Sequence, residues 1–172
     1  FFASRFEKSA ILSIDGFGDF TSTMSAIGNG NKFEVLDEVN YPHSLGIFYT
    51  TVTQFLGFNN YGDEYKVMGL APYGHPKYLK ELEQMLEMTD DGFFKLNKTY
   101  FKHFKEGVAM QWEGGSPRIE SLFTDEWCKL LGKHRVKGDK LEQWHIDLAT
   151  SVQIFTEKVI FHMLNHLHKK TG

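Results

Sequence analysis

The stretch that most constrains the fold is residues 11–18, ILSIDGFG. Apolar, β-prone residues lead to Asp15, and glycines follow at positions 16 and 18. This pattern predicts a buried strand that ends in a tight glycine turn, with Asp15 at the strand's carboxyl end. Ligands of open α/β sheets bind at such ends, and successive N–H groups in a glycine turn can bind an anion. A carboxylate there suits a metal that neutralises phosphates. The alternative is an ordinary turn that Asp15 itself caps.

The composition excludes several classes of protein. The chain has 172 residues and a formal net charge of -3, which suits one domain or a large piece of one without the basic surplus of a nucleic-acid binder. No apolar run is long enough to span a bilayer. The single cysteine, Cys128, excludes an internal disulfide and fits a reducing compartment. We therefore expect a cytoplasmic protein, and because the chain starts without Met or a basic leader, a piece of a longer one.

Three strands are predicted at residues 10–15, 20–27 and 32–39. The second and third flank GNGN at residues 28–31, and Gly and Asn accept the positive φ that hairpin turns need. The short connections predict an antiparallel three-stranded meander with one buried face. The fold class is α/β, because helices follow.

The helical part begins after residue 43. Ser44 is a plausible N-cap of a helix that ends at Gly57. Helical spacing of apolar residues also predicts a short helix at 63–71 and an amphipathic helix at 77–88. The longest predicted helix covers residues 142–170, with an apolar stripe on one face.

Residues 89–140 follow no single pattern. We interpret this segment as an insertion whose parts have different predicted conformations. They are a strand at 93–96, strand or loop at 98–108, irregular structure at 112–117, a helical turn at 119–122, a helix at 124–131 and a basic loop at 132–140.

Three segments together resemble a known family. They are DGFGD at residues 15–19, PHSLGIFY at 42–49 and EYKVMGLAPYG at 64–74. Their order and spacing resemble the carbamoyltransferases of the nodulation and antibiotic-biosynthesis type. The resemblance covers the first half of the chain and, more loosely, residues 147–153. Residues 89–140 match nothing in it and would be a family-specific insertion.

The resemblance implies an enzyme. Members move a carbamoyl group from carbamoyl phosphate, through a carbamoyl-adenylate made with ATP, to a hydroxyl of a small-molecule acceptor that is typically a sugar or antibiotic-like. The implied fold is part of an actin-like ATPase (RNase H-like) domain. That domain resembles the one that makes threonylcarbamoyl-adenosine on tRNA, and it binds a nucleotide and a divalent metal, Fe²⁺ or Mg²⁺.

The resemblance also assigns candidate site residues. Asp15 matches the metal-binding acid, Gly16 and Gly18 match the loop beside the phosphates or the carbamoyl-adenylate, and Glu64 and Lys66 match an acid–lysine pair near the nucleotide. Lys66 could instead be a surface lysine bound to a neighbouring acid. The family's paired metal histidines and its second glycine loop lie outside residues 1–172. We therefore expect the isolated chain to be inactive, and no catalytic base can be named.

Two other functions remain open. The chain could be a non-catalytic scaffold whose exposed apolar surface forms a homodimer, or a transferase acting on tRNA. The absence of a basic stripe argues against tRNA. His162 and His166 have the H-x₃-H spacing of zinc ligands, but Met163 replaces the usual glutamate. We interpret both as structural.

Overall fold

The computed structural model describes the backbone of residues 1–172 and every side chain except those of Glu113 and Ser116. Its main sheet is the predicted antiparallel meander, in the order β1-β2-β3. The strands are β1 Lys8–Ile14, β2 Thr21–Asn29 and β3 Lys32–Asn40. Gly30 has φ of 60° in the β2–β3 turn, as the GNGN pattern predicts.

The prediction that the first strand is buried is wrong. In β1 the side chains alternate between exposed and half-buried, whereas Ser22, Thr23 and Ala26 of β2 are buried. Because β1 is the sheet's edge strand, only β2 has a hydrogen-bonded neighbour on both sides.

Three of the predicted helices are confirmed with small shifts at their ends. They are α1 Leu45–Phe55, α2 Glu64–Leu70 and the 29-residue α6 Gln143–Thr171. The core lies where α6 packs on α1, for example where the Phe48 and Phe155 rings approach to 5.7 Å. Within the part of the chain that the structure describes, no helix has the length and apolar character to cross a bilayer.

The helix predicted at 77–88 is shorter than its periodicity indicates. Helix α3 spans Leu79–Met85, and β4 Leu86–Met88 follows at once. β4 pairs antiparallel with β5 Phe94–Leu96, which confirms the strand predicted there. Tertiary pairing therefore overrides the local helical pattern in the last turn.

The rest of residues 89–140 was predicted only in part. A hairpin of β6 Met110–Glu113 and β7 Ser116–Ile119 replaces the irregular structure expected at 112–117. Its turn glycines, Gly114 and Gly115, have φ of 58° and 85°, as a type I′ turn requires. Ile119 ends β7, so the expected helical turn there is wrong. The prediction of strand or loop at 98–108 is wrong in its second half, where the short helix α4 His103–Glu106 precedes the hairpin. The predicted α5 follows at Asp125–Leu131.

Candidate functional site

Four of the five sequence-predicted site residues line one open cavity of about 960 Å³, hereafter the cleft. Asp15, Gly16 and Gly18 come from the turn after β1, and Glu64 comes from the start of α2. Lys66 is not on it. Further lining comes from α1, α6 and the β6–β7 hairpin. The turn, the two helix starts and the hairpin therefore enclose a space large enough for a small-molecule ligand.

Close backbone packing holds the glycine turn against the start of α1. Ser44 is fully buried, and its Oγ accepts from the Ile47 N–H at 3.0 Å as the predicted N-cap. The same Oγ lies 3.2 Å from the Asp15 carbonyl oxygen and within hydrogen-bonding distance of the Gly16 carbonyl. At Gly46 an added Cβ would lie 2.9 Å from the Asp15 carbonyl oxygen. A side chain there would therefore push the helix away from the turn.

Asp15 combines both interpretations of its sequence pattern. Its Oδ1 accepts a hydrogen bond from the Gly16 N–H at 2.7 Å, so it caps its own turn. The carboxylate is nevertheless exposed and lines the cleft. Among the described side chains, no three His, Cys, Asp or Glu residues are grouped closely enough to hold a metal ion. Asp15 is therefore both the cap of its own turn and an exposed carboxylate on the cleft wall.

Glu64 and Lys66 do not form a pair. Glu64 Oε1 accepts from the Thr50 hydroxyl at 2.6 Å on the cleft wall. Lys66 Nζ instead lies 2.7 Å from Asp63 Oδ1, and this hydrogen bond raises the pKa of Lys66. Residues two apart on a helix point to nearly opposite sides. The spacing alone therefore separates the acid from the lysine, a signal available in the sequence.

Much of the 64–74 motif serves to dock this segment on α6. The Thr150 hydroxyl donates to the Ala71 carbonyl oxygen at 2.7 Å. An added Cβ at Gly74 would collide with the Thr150 hydroxyl and lie 2.5 Å from the Ile146 carbonyl oxygen. Gly69, by contrast, is exposed, with no atom within 4 Å of an added Cβ. The two motif glycines therefore have different roles.

Asp147 anchors the chain just after this motif. Its Oδ1 accepts from the His75 N–H at 2.9 Å and the Gln143 amide at 3.0 Å, and its Oδ2 lies 2.7 Å from Lys77 Nζ. The hydrogen bond from Lys77, followed by that from Gln143, lowers the pKa of Asp147 to about 2. This contact joins the segment that follows the motif to the first turns of α6.

The tip of the glycine turn is held by an aromatic cluster that the sequence did not indicate. Phe17 packs on Tyr41 and His103, with ring centroids 5.4 and 5.7 Å apart. The Tyr41 hydroxyl donates to the His103 carbonyl oxygen at 2.8 Å, and His103 Nε2 lies 2.8 Å from the Pro42 carbonyl oxygen. Burial lowers the pKa of His103. Its contacts join residues about 60 positions apart, which no local pattern can reveal.

Three further histidines have structural contacts. His43 Nδ1 accepts from the Leu96 N–H at 3.0 Å, and burial lowers its pKa. His162 Nε2 lies 2.9 Å from the Thr89 carbonyl oxygen, while the His166 ring is 5.9 Å from the Phe93 ring. The structural interpretation of the H-x₃-H spacing is consistent with these contacts.

Thr156 of α6 is a cleft residue that the sequence reasoning missed. Its Oγ1 is buried, and it has no hydrogen-bond partner within the described part of the chain. Near it on the cleft wall is Tyr49, whose hydroxyl donates to Gln153 Oε1 at 3.0 Å. Burial raises the pKa of Tyr49. In the sequence both residues belong to helical patterns, so a role in core packing would account for them as well as a role in the cleft.

Comparison with known proteins places this architecture in a family. The family described as "Carbamoyltransferase N-terminus" matches residues 1–172. The nodulation protein NolNO of Sinorhizobium fredii is 36% identical over 173 residues, covering 100% of this chain and 22% of that protein. The nodulation protein NolO of Bradyrhizobium diazoefficiens is 35% identical, with 100% and 27% covered. An uncharacterized Synechocystis protein, sll1178, is 37% identical, with 100% and 26% covered.

The chain belongs to the carbamoyltransferase family, as its N-terminal region. It spans about a quarter of the length of these curated relatives.

Proposed function

We propose that the protein containing this chain is an O-carbamoyltransferase, and that the cleft is one wall of its nucleotide and metal site. In this reaction a carbamoyl group passes from carbamoyl phosphate, through a carbamoyl-adenylate made with ATP, to a hydroxyl of a small-molecule acceptor. The observation that carries the proposal is the convergence of Asp15, Gly16, Gly18 and Glu64 on one cleft in a carbamoyltransferase-family chain. The proposal extends to the fold, as part of an actin-like ATPase domain.

Each cleft residue has a proposed role. The turn at Gly16 and Gly18 would lie beside the phosphate oxygens. The Gly16 N–H bonds Asp15 Oδ1 and would orient that carboxylate, while the Gly18 N–H would face the phosphate, and the adjoining start of α1 adds the positive end of its helix dipole. Asp15 would supply one carboxylate to Fe²⁺ or Mg²⁺, and a bound cation offsets phosphate charge. Glu64, oriented by Thr50, would contact the nucleotide or the transferred group. Lys66 would act indirectly, by holding Asp63 at the start of α2.

The test is an isosteric substitution in the full-length protein. We expect Asp15→Asn to lose most of its bound divalent metal, measured by elemental analysis, and to reduce carbamoyl transfer by about two orders of magnitude, because a charged ligand is removed. Asp90→Asn is the matched control, since Asp90 is an exposed acid away from the cleft. If Asp15→Asn kept full metal occupancy and full activity, Asp15 would not be a metal ligand.

A second measurement separates an enzyme piece from a scaffold. Calorimetry with ATP and Fe²⁺ or Mg²⁺, on residues 1–172 and on the full-length protein, should give binding in the full-length protein. We expect the isolated chain to show no turnover. Light scattering would test whether its exposed apolar side chains, such as Phe161 at 60% exposure, form the proposed homodimer. Binding in neither sample would favour the scaffold.

A further inference from the structure

The hydroxyl of Thr156, on the cleft wall, differs from the other hydroxyls of α6. Those of Thr150, Ser151 and Thr171 lie 3.0, 2.6 and 2.9 Å from the carbonyl oxygens four residues earlier, which is the usual partner of a hydroxyl inside a helix. Thr156 Oγ1 is buried and has no hydrogen-bond partner within the described part of the chain. The Thr156 hydroxyl is therefore not tied to its own helix.

A buried hydroxyl without a partner lowers stability, because it has lost its bonds to water and gained none in return. The surroundings of Thr156 increase this cost. Ile160 lies four residues further on, on the same face of α6, and also lines the cleft. A ligand in the cleft that offers an acceptor would remove the cost. Thr156 is therefore a candidate donor to a bound group.

Tyr49 of α1 supplies the opposite kind of group. It is buried, lines the cleft and donates its hydroxyl hydrogen to Gln153 Oε1 at 3.0 Å. The Gln153 amide is held in this orientation because its Nε2 donates to Glu157 Oε1 at 2.8 Å, and a carboxylate only accepts. Burial, helped by the charge of Glu64, raises the pKa of Tyr49, so the hydrogen stays in place at neutral pH. Tyr49 Oη thus offers a ligand only lone pairs.

The packing of α1 on α6 holds Tyr49 and Thr156 on one wall. Phe48 and Phe155, their neighbours in sequence, have ring centroids 5.7 Å apart in the core. Gln153, which bonds Tyr49, is three residues from Thr156 and lies on the same face of α6. The wall therefore presents an acceptor from α1 and a donor from α6 to the same ligand.

A primary amide is the chemical complement of this pair. Its NH₂ group donates and its carbonyl oxygen accepts, and both are attached to the same carbon. The carbamoyl group is such an amide, whereas an acetyl group has a methyl in place of the NH₂ and offers nothing to Tyr49 Oη. A site that hydrogen-bonds a group rejects an analogue without that group more strongly than an apolar pocket does.

The position of the pair suits a group that is attached to a phosphate. Gly46 packs against the glycine turn, and Tyr49 lies three residues, or about 4.5 Å, further along α1. In carbamoyl phosphate and in carbamoyl-adenylate one oxygen separates the carbamoyl carbon from phosphorus. The amino group of adenine also donates beside an acceptor, but the ribose separates it from the same phosphate. The carbamoyl group therefore fits this position better than the base does.

We propose that Tyr49 and Thr156 hold the carbamoyl group in the cleft, with Tyr49 Oη accepting from its NH₂ group and the Thr156 hydroxyl donating to its carbonyl oxygen. Tyr49 then selects a carbamoyl group over an acetyl group, and Thr156 binds either. This inference rests on the proposed function for the identity of the ligand.

The experiment measures the binding of two adenylate mimics to the full-length protein by calorimetry. They are N-carbamoyl-sulfamoyl adenosine and N-acetyl-sulfamoyl adenosine, which differ only in a terminal NH₂ or CH₃. We expect the parent to prefer the carbamoyl mimic by about tenfold. In Tyr49→Phe the preference should fall below about twofold, while the acetyl mimic stays within about threefold of its parent affinity. A purely structural role of Tyr49 would weaken both mimics and leave the preference unchanged.

Thr156→Val keeps the shape of the side chain and removes the hydroxyl. It should weaken both mimics by about tenfold, because both have the carbonyl oxygen, and Thr156→Ser should retain the parent affinities. Tyr65→Phe and Thr171→Val are the matched controls, since neither residue lines the cleft, and both should bind like the parent. Thermal melting verifies that every variant is folded. Binding elsewhere in the full-length protein is common to parent and variants, so the differences report the cleft.

Equal weakening of both mimics in Tyr49→Phe would mean that Tyr49 supports the wall or contacts the shared adenosine, and the inference would be wrong. Binding of neither mimic by the parent also overturns it. A preference that depends on Tyr49, in a protein that does not transfer carbamoyl groups, would retain the pair and remove only the proposed function. Carbamoyl transfer with a preference that does not depend on Tyr49 would do the reverse.

Discussion

The two walls of the cleft are built in different ways. On one side the glycine turn and α1 meet backbone to backbone, because Gly46 has no side chain and Ser44 bonds the turn's carbonyls. On the other side the β6–β7 hairpin is held by the side chain of Gln54. In the first wall, a side chain at position 46 or the loss of the Ser44 hydroxyl would disturb the packing. In the second wall, the side chain of Gln54 holds the hairpin, so residues of the hairpin can be replaced.

The two walls therefore suit different parts of a ligand. A wall in which two backbone segments pack closely suits a ligand group that is always the same, such as a phosphate. Backbone N–H groups can bind a phosphate whatever the side chains are. A tethered hairpin exposes side chains that can differ while its position is kept. We therefore expect substitutions at the backbone contacts to have the largest effects on stability, and substitutions of exposed side chains the smallest.

The largest effect should come from Gly74→Ala. The φ of −118° at Gly74 is accessible to any residue, so the cost is steric: the new Cβ would lie 2.5 Å from the Ile146 carbonyl oxygen, which is backbone in α6. We expect a loss of about 3 kcal/mol in the free energy of unfolding, measured by urea denaturation.

Gly69→Ala is the matched control, since the space around Gly69 is open and it lies within α2. Alanine favours helix over glycine by up to about 1 kcal/mol, so this variant should be as stable as the parent or slightly more so. Equal effects of the two substitutions would mean that the close approach of backbones at Gly74 does not stabilise the docking of this segment on α6.

Asp147→Asn should have the next largest effect, about 1–2 kcal/mol at neutral pH, because it removes the charge that pairs with Lys77 on a buried side chain. The exposure of Lys77 keeps the effect below that of a fully buried pair. Because folding lowers the pKa of Asp147 to about 2, its contribution is complete above the unfolded value near 4 and is lost as pH falls towards 2.

Urea denaturation of both proteins between pH 6 and pH 2 measures this contribution. The stability difference between parent and Asp147→Asn should shrink as the carboxylate is protonated. A difference that is the same at every pH would show that the charge contributes nothing.

Local patterns predicted much of this molecule and failed where distant contacts decide. The meander, α1, α2 and α6 follow from turn glycines, the Ser44 cap and apolar spacing, each a property of adjacent residues. The end of α3 does not, because pairing with β5 overrides the local helical pattern. The β6–β7 hairpin is a different case, because its Gly114-Gly115 turn is a hairpin signal in the sequence that the prediction of irregular structure overlooked.

The candidate site divides in the same way. Asp15, Gly16, Gly18 and Glu64 could be placed together from motif order and resemblance, and the structure brings them to one cleft. The contribution of Thr156 could not be foreseen, since α6 reaches the cleft only through tertiary packing. The off-cleft position of Lys66 was foreseeable from helix geometry.

A smaller effect is expected from the buried histidines near the glycine turn. Burial lowers the pKa of both His43 and His103, so below the unfolded value near 6.5 the unfolded chain binds more protons than the folded one. Stability should therefore fall as pH falls below about 6.5. In His103→Gln the melting temperature should depend less on pH between 7.5 and 5.5. An unchanged pH dependence would show that His103 is not desolvated when folded.

The smallest effect should be that of Lys66→Gln. The Lys66–Asp63 ion pair is partly exposed, and such pairs contribute about 0.5 kcal/mol. Because Lys66 does not line the cleft, we expect ATP affinity of the full-length protein, measured by calorimetry, to change by less than about twofold. Glu64→Gln, two residues away but on the cleft wall, should weaken ATP binding or carbamoyl transfer by about tenfold or more, because it replaces a charged group that contacts the ligand. If Lys66→Gln were the more damaging of the two, the lysine would have to turn into the cleft when ligand binds.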